Sequence, residues 1–149
     1  MRVLVVGSGA REHALVKALL VDSFVTAALA APGNGGMAGK VETFALDAAD
    51  PEAVAAAAEK NRCDLVVIGP ELPLVRGVAD AVRARGIACF GPSEAAAQLE
   101  ASKAFAKEVM AAAAVPTAES VTCTDAATVA EACERFGAPF VIKDDGLAG

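Results

Sequence analysis

The chain has 149 residues and a formal charge of -6, from 13 Lys and Arg against 19 Asp and Glu. That length holds one domain, or one domain and part of a second, and 55% hydrophobic against 21% charged residues excludes a disordered chain. The net acidity, with no run of Lys or Arg, speaks against a nucleic-acid partner, and no stretch reaches the roughly 18 apolar residues that a membrane span needs. Met1-Arg2 is followed by four apolar residues, then Gly7-Ser8-Gly9 and the charged pair Arg11-Glu12, which is no signal peptide. The expected location is therefore the cytoplasm, with Cys63, Cys89, Cys123 and Cys133 as reduced, packed thiols. A single His excludes multi-His metal sites.

Short apolar runs alternate with Ala-rich helical stretches. Val3–Val6 reads as a strand ended by Gly7-Ser8-Gly9, and Arg11–Leu20 as a helix. Phe24–Ala31 is a second strand, ended by Pro32-Gly33-Asn34, and a short third is expected around Val41–Leu46. Asp50 caps a helix with Pro51 at its first position, running to Lys60. Leu65–Ile68 is the clearest strand, stopped by Gly69-Pro70. Leu74–Arg85 reads as one helix with Gly86 behind it, and Ile87–Phe90 as a fifth strand before Gly91-Pro92. Continuous apolar strands separated by helices predict an α/β domain with a doubly wound parallel sheet, Rossmann-like, over residues 1 to about 92. Beyond Ser93 the pattern predicts helices over 94–99 and 102–114, a strand-like segment 117–122, a helix from Asp125 to Phe136 and a strand at Phe140–Lys143. The last stretch, ending at Gly149 in a Gly-containing loop, looks like an unfinished domain.

In a doubly wound sheet ligands bind beyond the carboxyl ends of the strands, which here carry four Gly-containing turns. The first, Gly7-Ser8-Gly9-Ala10-Arg11-Glu12, stands where a dinucleotide fingerprint would, but Glu12 replaces its third Gly and no acid ends the second strand. Glu12 is expected to repel a pyrophosphate and to block close helix–strand approach. What remains is a helix N-terminus beside Arg11, which suits one phosphate or is a purely structural turn. Gly35–Lys40 lacks two positions of a P-loop, having Asn34 and Val41 where Gly and Ser or Thr are needed, and reads as a surface loop. His13 reads as packing or capping ahead of orienting Glu12 or a substrate hydroxyl. Glu71 is either a solvated loop acid or an acceptor for sugar hydroxyls or an amine. Lys103 and Lys143 either reach an anion or snorkel to solvent.

Taken in order, Gly7-Ser8-Gly9-Ala10-Arg11-Glu12-His13-Ala14, Ala31-Pro32-Gly33-Asn34, Gly69-Pro70-Glu71-Leu72-Pro73-Leu74-Val75, Phe90-Gly91-Pro92, Ala97–Phe105 and Val141-Ile142-Lys143 resemble the N-terminal part of the phosphoribosylamine–glycine ligase (glycinamide ribonucleotide synthetase) family, from Met1 to Leu147. The resemblance implies an ATP-dependent carbon–nitrogen ligase of purine biosynthesis. Such an enzyme joins glycine to 5-phosphoribosylamine by way of glycyl phosphate, releasing glycinamide ribonucleotide, ADP and phosphate. It implies a pre-ATP-grasp substrate-binding domain over 1–101 and the start of an ATP-grasp domain over 102–149. It places Gly9, Arg11, Glu12, Gly69, Pro70 and Glu71 at the phosphoribosylamine and Lys103 and Lys143 at the ATP phosphates, with no catalytic or metal residue among them. Magnesium ligands are expected beyond residue 149, so this length alone is expected to be inactive. The family commonly has Gly where Ala10 stands and Ala where Asp144 stands. Two other readings compete: a nicotinamide-dependent oxidoreductase domain, against which Glu12 counts, and a non-catalytic remnant acting as a ligand-binding or interaction module.

Overall fold

A computed structural model describes residues 1–147. The chain divides into two compact units, Met1–Ala97 and Gln98–Gly149.

The first unit is built on β1 (Arg2–Gly7), β2 (Ala27–Pro32), β3 (Glu42–Thr43), β4 (Leu65–Ile68) and β5 (Ala88–Phe90). They form one parallel sheet in the order β3-β2-β1-β4-β5. β1 is central, with Leu4 in register between Leu29 and Val66. Its apolar residues alternate between two cores. Leu4 and Val6 face α3 (Pro51–Lys60) and α5 (Val78–Ala84) through Val54, Ala58, Val78 and Val82. Val3 and Val5 face α1 (Ala10–Leu19) and α2 (Gly35–Ala38) through Val16 and Met37. Both sheet faces are thus covered, which is why the strands read as unbroken apolar runs rather than alternating ones. The small Ala residues of β2, α3 and α5 let helices lie close on the sheet.

In the first unit three expected elements differ. β2 starts at Ala27, because the segment before it makes turns: Phe24 is exposed, its amide donates to Asp22 Oδ1 at 2.8 Å and the Val25 amide to the Asp22 carbonyl at 3.1 Å. β3 keeps only two residues, since Phe44 and Leu46 turn inward against the core on the α3 side instead of continuing the ladder. The single helix expected over 74–85 is two, α4 (Glu71–Val75) and α5, divided at Gly77, whose φ of 81° is left-handed and open to glycine at low cost. Pro73 is tolerated in α4 because its missing N–H falls in the first turn, where no acceptor waits.

Asp50 caps α3 as its spacing predicts, accepting from the Ala53 amide at 3.0 Å ahead of Pro51. Asp50→Ala is expected to cost about 1 kcal/mol, which for a unit of this size lowers the melting temperature by about 4–8 °C. Differential scanning calorimetry reads this directly, and an unchanged transition would rule out the cap as a stabilising contact. Arg85, beyond the end of α5, reaches Glu59 at 2.7 Å and Glu52 at 2.8 Å on α3, fixing the two helices to each other. Cys63 is buried and Cys89 half-buried. Burial pushes both thiols up from their ordinary pKa, which keeps them protonated.

α6 covers Glu94–Ala101. The second unit holds α7 (Lys103–Ala112), capped by Ser102 Oγ on the Phe105 amide, and α8 (Ala126–Phe136), capped by a reciprocal Asp125–Thr128 pair. The strand-like segments 117–122 and 140–143 form no strand. Among the described residues neither has a neighbour to complete a hydrogen-bond ladder, and Val141 and Ile142 stay 79% and 67% exposed. No described helix is long and apolar enough to cross a membrane.

Candidate functional site

The sheet order reverses between β1 and β4, so the turns after these strands diverge and leave a crevice at their carboxyl ends. A cleft of about 500 Å³ opens there, lined by the Gly7–Glu12 segment with Pro32, Ala48 and Pro70. α1 begins in its wall. The amides of its first turn lack intrahelical acceptors and carry the positive end of the helix dipole.

Glu12 organises this wall from beneath. It is 3% exposed, the one charged residue buried among the described residues. Its Oε2 accepts from the Gly9 amide at 2.6 Å, closing the start of α1. Its side chain fills the space under three glycines. A Cβ on Gly69 would stand 2.1 Å from Glu12 Oε1, one on Gly7 2.7 Å from Cγ and one on Gly9 2.8 Å from Oε2. The expectation that Glu12 blocks close approach of helix and strand is therefore corrected. The carboxylate lies inside the contact between α1, β1 and β4, and the missing side chains of Gly7 and Gly69 make room for it.

Arg11, one residue earlier on α1, points the other way. Its guanidinium is 61% exposed and donates to the Gly69 carbonyl and to Glu71 Oε1, both at 2.9 Å. This links the β1 turn to the β4 turn across the switch point. The hydrogen bond from Arg11 holds the Glu71 carboxyl below the usual carboxylate range. The depressed value means that the pair's contribution is present above the pH at which an unfolded Glu titrates. It is lost as pH falls through the lowered folded value. The pair is open to solvent, so that contribution is small. Arg11→Ala is expected to return the Glu71 titration to the ordinary carboxylate range, followed by carboxyl-carbon NMR. An unmoved midpoint would show that the contact does not persist in solution.

The turn after β2 closes the site from a third side. Asn34 Oδ1 accepts from the Gly36 and Met37 amides at 2.9 and 3.2 Å, while its Nδ2 donates to the Ser8 carbonyl at 2.8 Å. His13 packs against Gly36, where a Cβ would come within 2.6 Å of its ring, and its Nε2 stands 3.2 Å from Lys40 Nζ.

In the second unit Lys103 Nζ donates to the Gly146 carbonyl at 2.7 Å. Asp145 spans the start of α7, accepting from Ser102 Oγ at 2.9 Å and from the Lys103 and Ala104 amides, and these bonds hold its carboxyl below the usual range. Lys143 is exposed. No group of three or more His, Cys, Asp or Glu among the described residues could hold a metal ion.

Residues 1–100 match the family described as phosphoribosylglycinamide synthetase, N domain, and residues 101–149 match phosphoribosylglycinamide synthetase, ATP-grasp (A) domain. The chain belongs to the phosphoribosylglycinamide synthetase family. It is 60% identical over 148 residues to a phosphoribosylamine–glycine ligase of Streptomyces coelicolor, and 56% identical over 153 residues to one of Mycobacterium tuberculosis. Each match covers 99% of this chain and 36% of the relative, so the chain spans about a third of the length of the ligases it matches. A solved phosphoribosylamine–glycine ligase from Thermotoga maritima superposes with a TM-score of 0.76 at 26% identity, over 99% of this chain and 34% of that one. The biotin carboxylase domain of a Hydrogenobacter thermophilus 2-oxoglutarate carboxylase shares the fold, with a TM-score of 0.71 at 19% identity over 93% of this chain and 33% of that one.

Of the synthetase-family positions singled out in the sequence, Gly9, Arg11, Glu12 and Pro70 line the cleft, and Gly69 and Glu71 are tied to it through Glu12 and Arg11. Lys103 and Lys143 lie in the second unit. Gly7, Ser8, Ala10, Pro32 and Ala48 also line the cleft and were not among the site positions that the resemblance implied. Ser8 and Pro32 sit in turns whose position at the strand ends was legible. Ala48 carries no chemical signal and reaches the cleft only through the path of the β3–α3 connection.

Proposed function

We propose that this chain is the substrate-binding part of an ATP-dependent carbon–nitrogen ligase of purine biosynthesis, acting in the cytoplasm. The reaction joins glycine to the amine of 5-phosphoribosylamine, giving glycinamide ribonucleotide, ADP and phosphate. The observation that carries this reading is the β1–β4 cleft of a phosphoribosylglycinamide synthetase N domain, with α1 starting in its wall and Arg11 at its rim. Those groups suit one phosphate rather than a dinucleotide. The first-turn amides of α1 receive the ligand's phosphate beside Gly9, whose own amide is held by Glu12 Oε2. Arg11 adds charge, and Glu71 and the Gly69-Pro70 turn bound the sugar and amine end. Glu12 acts from below, holding the turn's shape.

Lys103 and Lys143 supply ammonium groups of the kind that meet nucleotide phosphates, and their segments meet where Lys103 contacts Gly146. ATP would provide the phosphoryl group that activates the glycine carboxylate. These lysines would neutralise charge on the phosphates, with the magnesium ligands in the part of the ligases that this chain does not span. The test is calorimetric titration of the chain with glycinamide ribonucleotide at low salt, beside NADH. Heat with the ribonucleotide and none with NADH is expected. Binding of NADH alone would overturn the assignment in favour of a nicotinamide site.

A further inference from the structure

Asn34 is given no site role by the sequence, yet it is the point at which the third wall of the cleft grips the first. Its Nδ2 donates to the Ser8 carbonyl at 2.8 Å. The amide of the next residue, Gly9, donates to Glu12 Oε2 at 2.6 Å. The carbonyl and the N–H belong to one peptide unit, and a trans peptide points them in opposite directions. The Ser8–Gly9 peptide is therefore clamped at both ends, by an amide side chain on one edge and a buried carboxylate on the other. This peptide leads into α1, so its plane sets the direction of the next amides, those of Ala10 and Arg11, which have no acceptor within the helix.

We infer that Asn34 is a positioning residue: through the Ser8–Gly9 peptide it aims the first-turn amides of α1 at the phosphate of a ligand in the cleft. The inference rests on the reading of this cleft as a phosphate-bearing ligand's site. Asn34 also caps α2, accepting from Gly36 and Met37, so the two roles must be separated. Asn34→Asp and Asn34→Ser both keep a good capping acceptor. Neither can donate to Ser8: the carboxylate has no N–H, and the serine side chain is too short to span from the same backbone position.

The full chain and these two variants are compared in thermal melts, in titrations with glycinamide ribonucleotide, and in amide NMR spectra without ligand. Melting temperatures within a few degrees of the parent are expected for both, with affinity down about tenfold or more in each. The ligand-free resonances of Gly9, Ala10 and Arg11 are expected to shift. Parent-like affinity in both variants overturns the inference, and so does a loss confined to Asn34→Asp, which would be charge repulsion alone. Unmoved Gly9–Arg11 resonances overturn it even without ligand. The two levels fail differently. If Arg11→Ala abolishes binding while both Asn34 variants bind normally, only the positioning role falls. If the parent chain binds no ribonucleotide, the reading of the cleft falls with it.

Discussion

Gly69→Ala is expected to unfold the first unit at a melting temperature about 15 °C below the parent, a loss of about 3 kcal/mol. The new Cβ would stand 2.1 Å from Glu12 Oε1, 2.4 Å from Cγ and 2.5 Å from Cδ. A surface glutamate would swing aside at little cost. Glu12 cannot, because it is buried and held by the Gly9 amide, so any retreat breaks that bond and leaves a carboxylate without its partner. The cause can be isolated with a double-mutant cycle. Glu12→Ala alone should destabilise by loss of the turn's acceptor. In that background Gly69→Ala should cost less than about 1 kcal/mol, because the atoms it strikes are gone. Additive losses in chemical denaturation would place the cost in the backbone at Gly69 instead of in the carboxylate beneath it.

The second large effect concerns binding rather than folding. Arg11→Ala is expected to weaken glycinamide ribonucleotide by about 100-fold at low salt, the scale of losing a charge-assisted, two-pronged contact to phosphate. Arg11→Lys should recover only part of this, since an ammonium lacks the planar fork that matches phosphate oxygens. The parent affinity should fall as ionic strength rises, and the alanine variant's salt dependence should be shallower. Glu71→Gln separates two accounts of the arginine. If Arg11 only ties the two turns together, removing its carboxylate partner lowers the melting temperature as Arg11→Ala does, and neither change alters the affinity for inorganic phosphate, which lacks the sugar and amine end that Glu71 bounds. If Arg11 meets the ligand's phosphate, Glu71→Gln frees its guanidinium and affinity for inorganic phosphate holds or rises. An alanine variant within about twofold of the parent would remove Arg11 from the site.

The parallel sheet was legible because Val3–Val6 and Leu65–Ile68 are apolar on both faces, a pattern that only covered strands show. Gly7-Ser8-Gly9 and Gly69-Pro70 marked the strand ends, and with them the cleft. Glu12 was misjudged for a reason that lies in three dimensions. Whether a carboxylate obstructs a helix or fastens it depends on what faces it, and the glycine that makes room, Gly69, is 57 positions away along the chain. The left-handed break at Gly77 sat within a helical pattern whose apolar period continues on either side, and its one local mark, a lone glycine, is also tolerated inside a helix. The strands expected at 117–122 and 140–143 failed on a different count. Their residues suit extended backbone, but a strand is half of a pair, and composition says nothing about the other half. Asn34 looked like a turn residue because its capping role is local, while its donation to Ser8 is not.

The central place of β1 also sets a schedule. β1 leaves the ribosome before the other strands of its sheet, and its partner on one side, β4, begins at Leu65, roughly sixty residues later. At typical translation rates of about 5–20 residues per second, that is roughly 3 to 12 s. During this interval Val3–Val6 can pair with β2 alone, leaving one backbone edge and most of one apolar face open. The carboxylate of Glu12 likewise waits for Gly69 before its socket exists. The nascent first unit therefore presents a wholly apolar strand early and completes its pairing late, so its central strand spends longest with an unpaired edge.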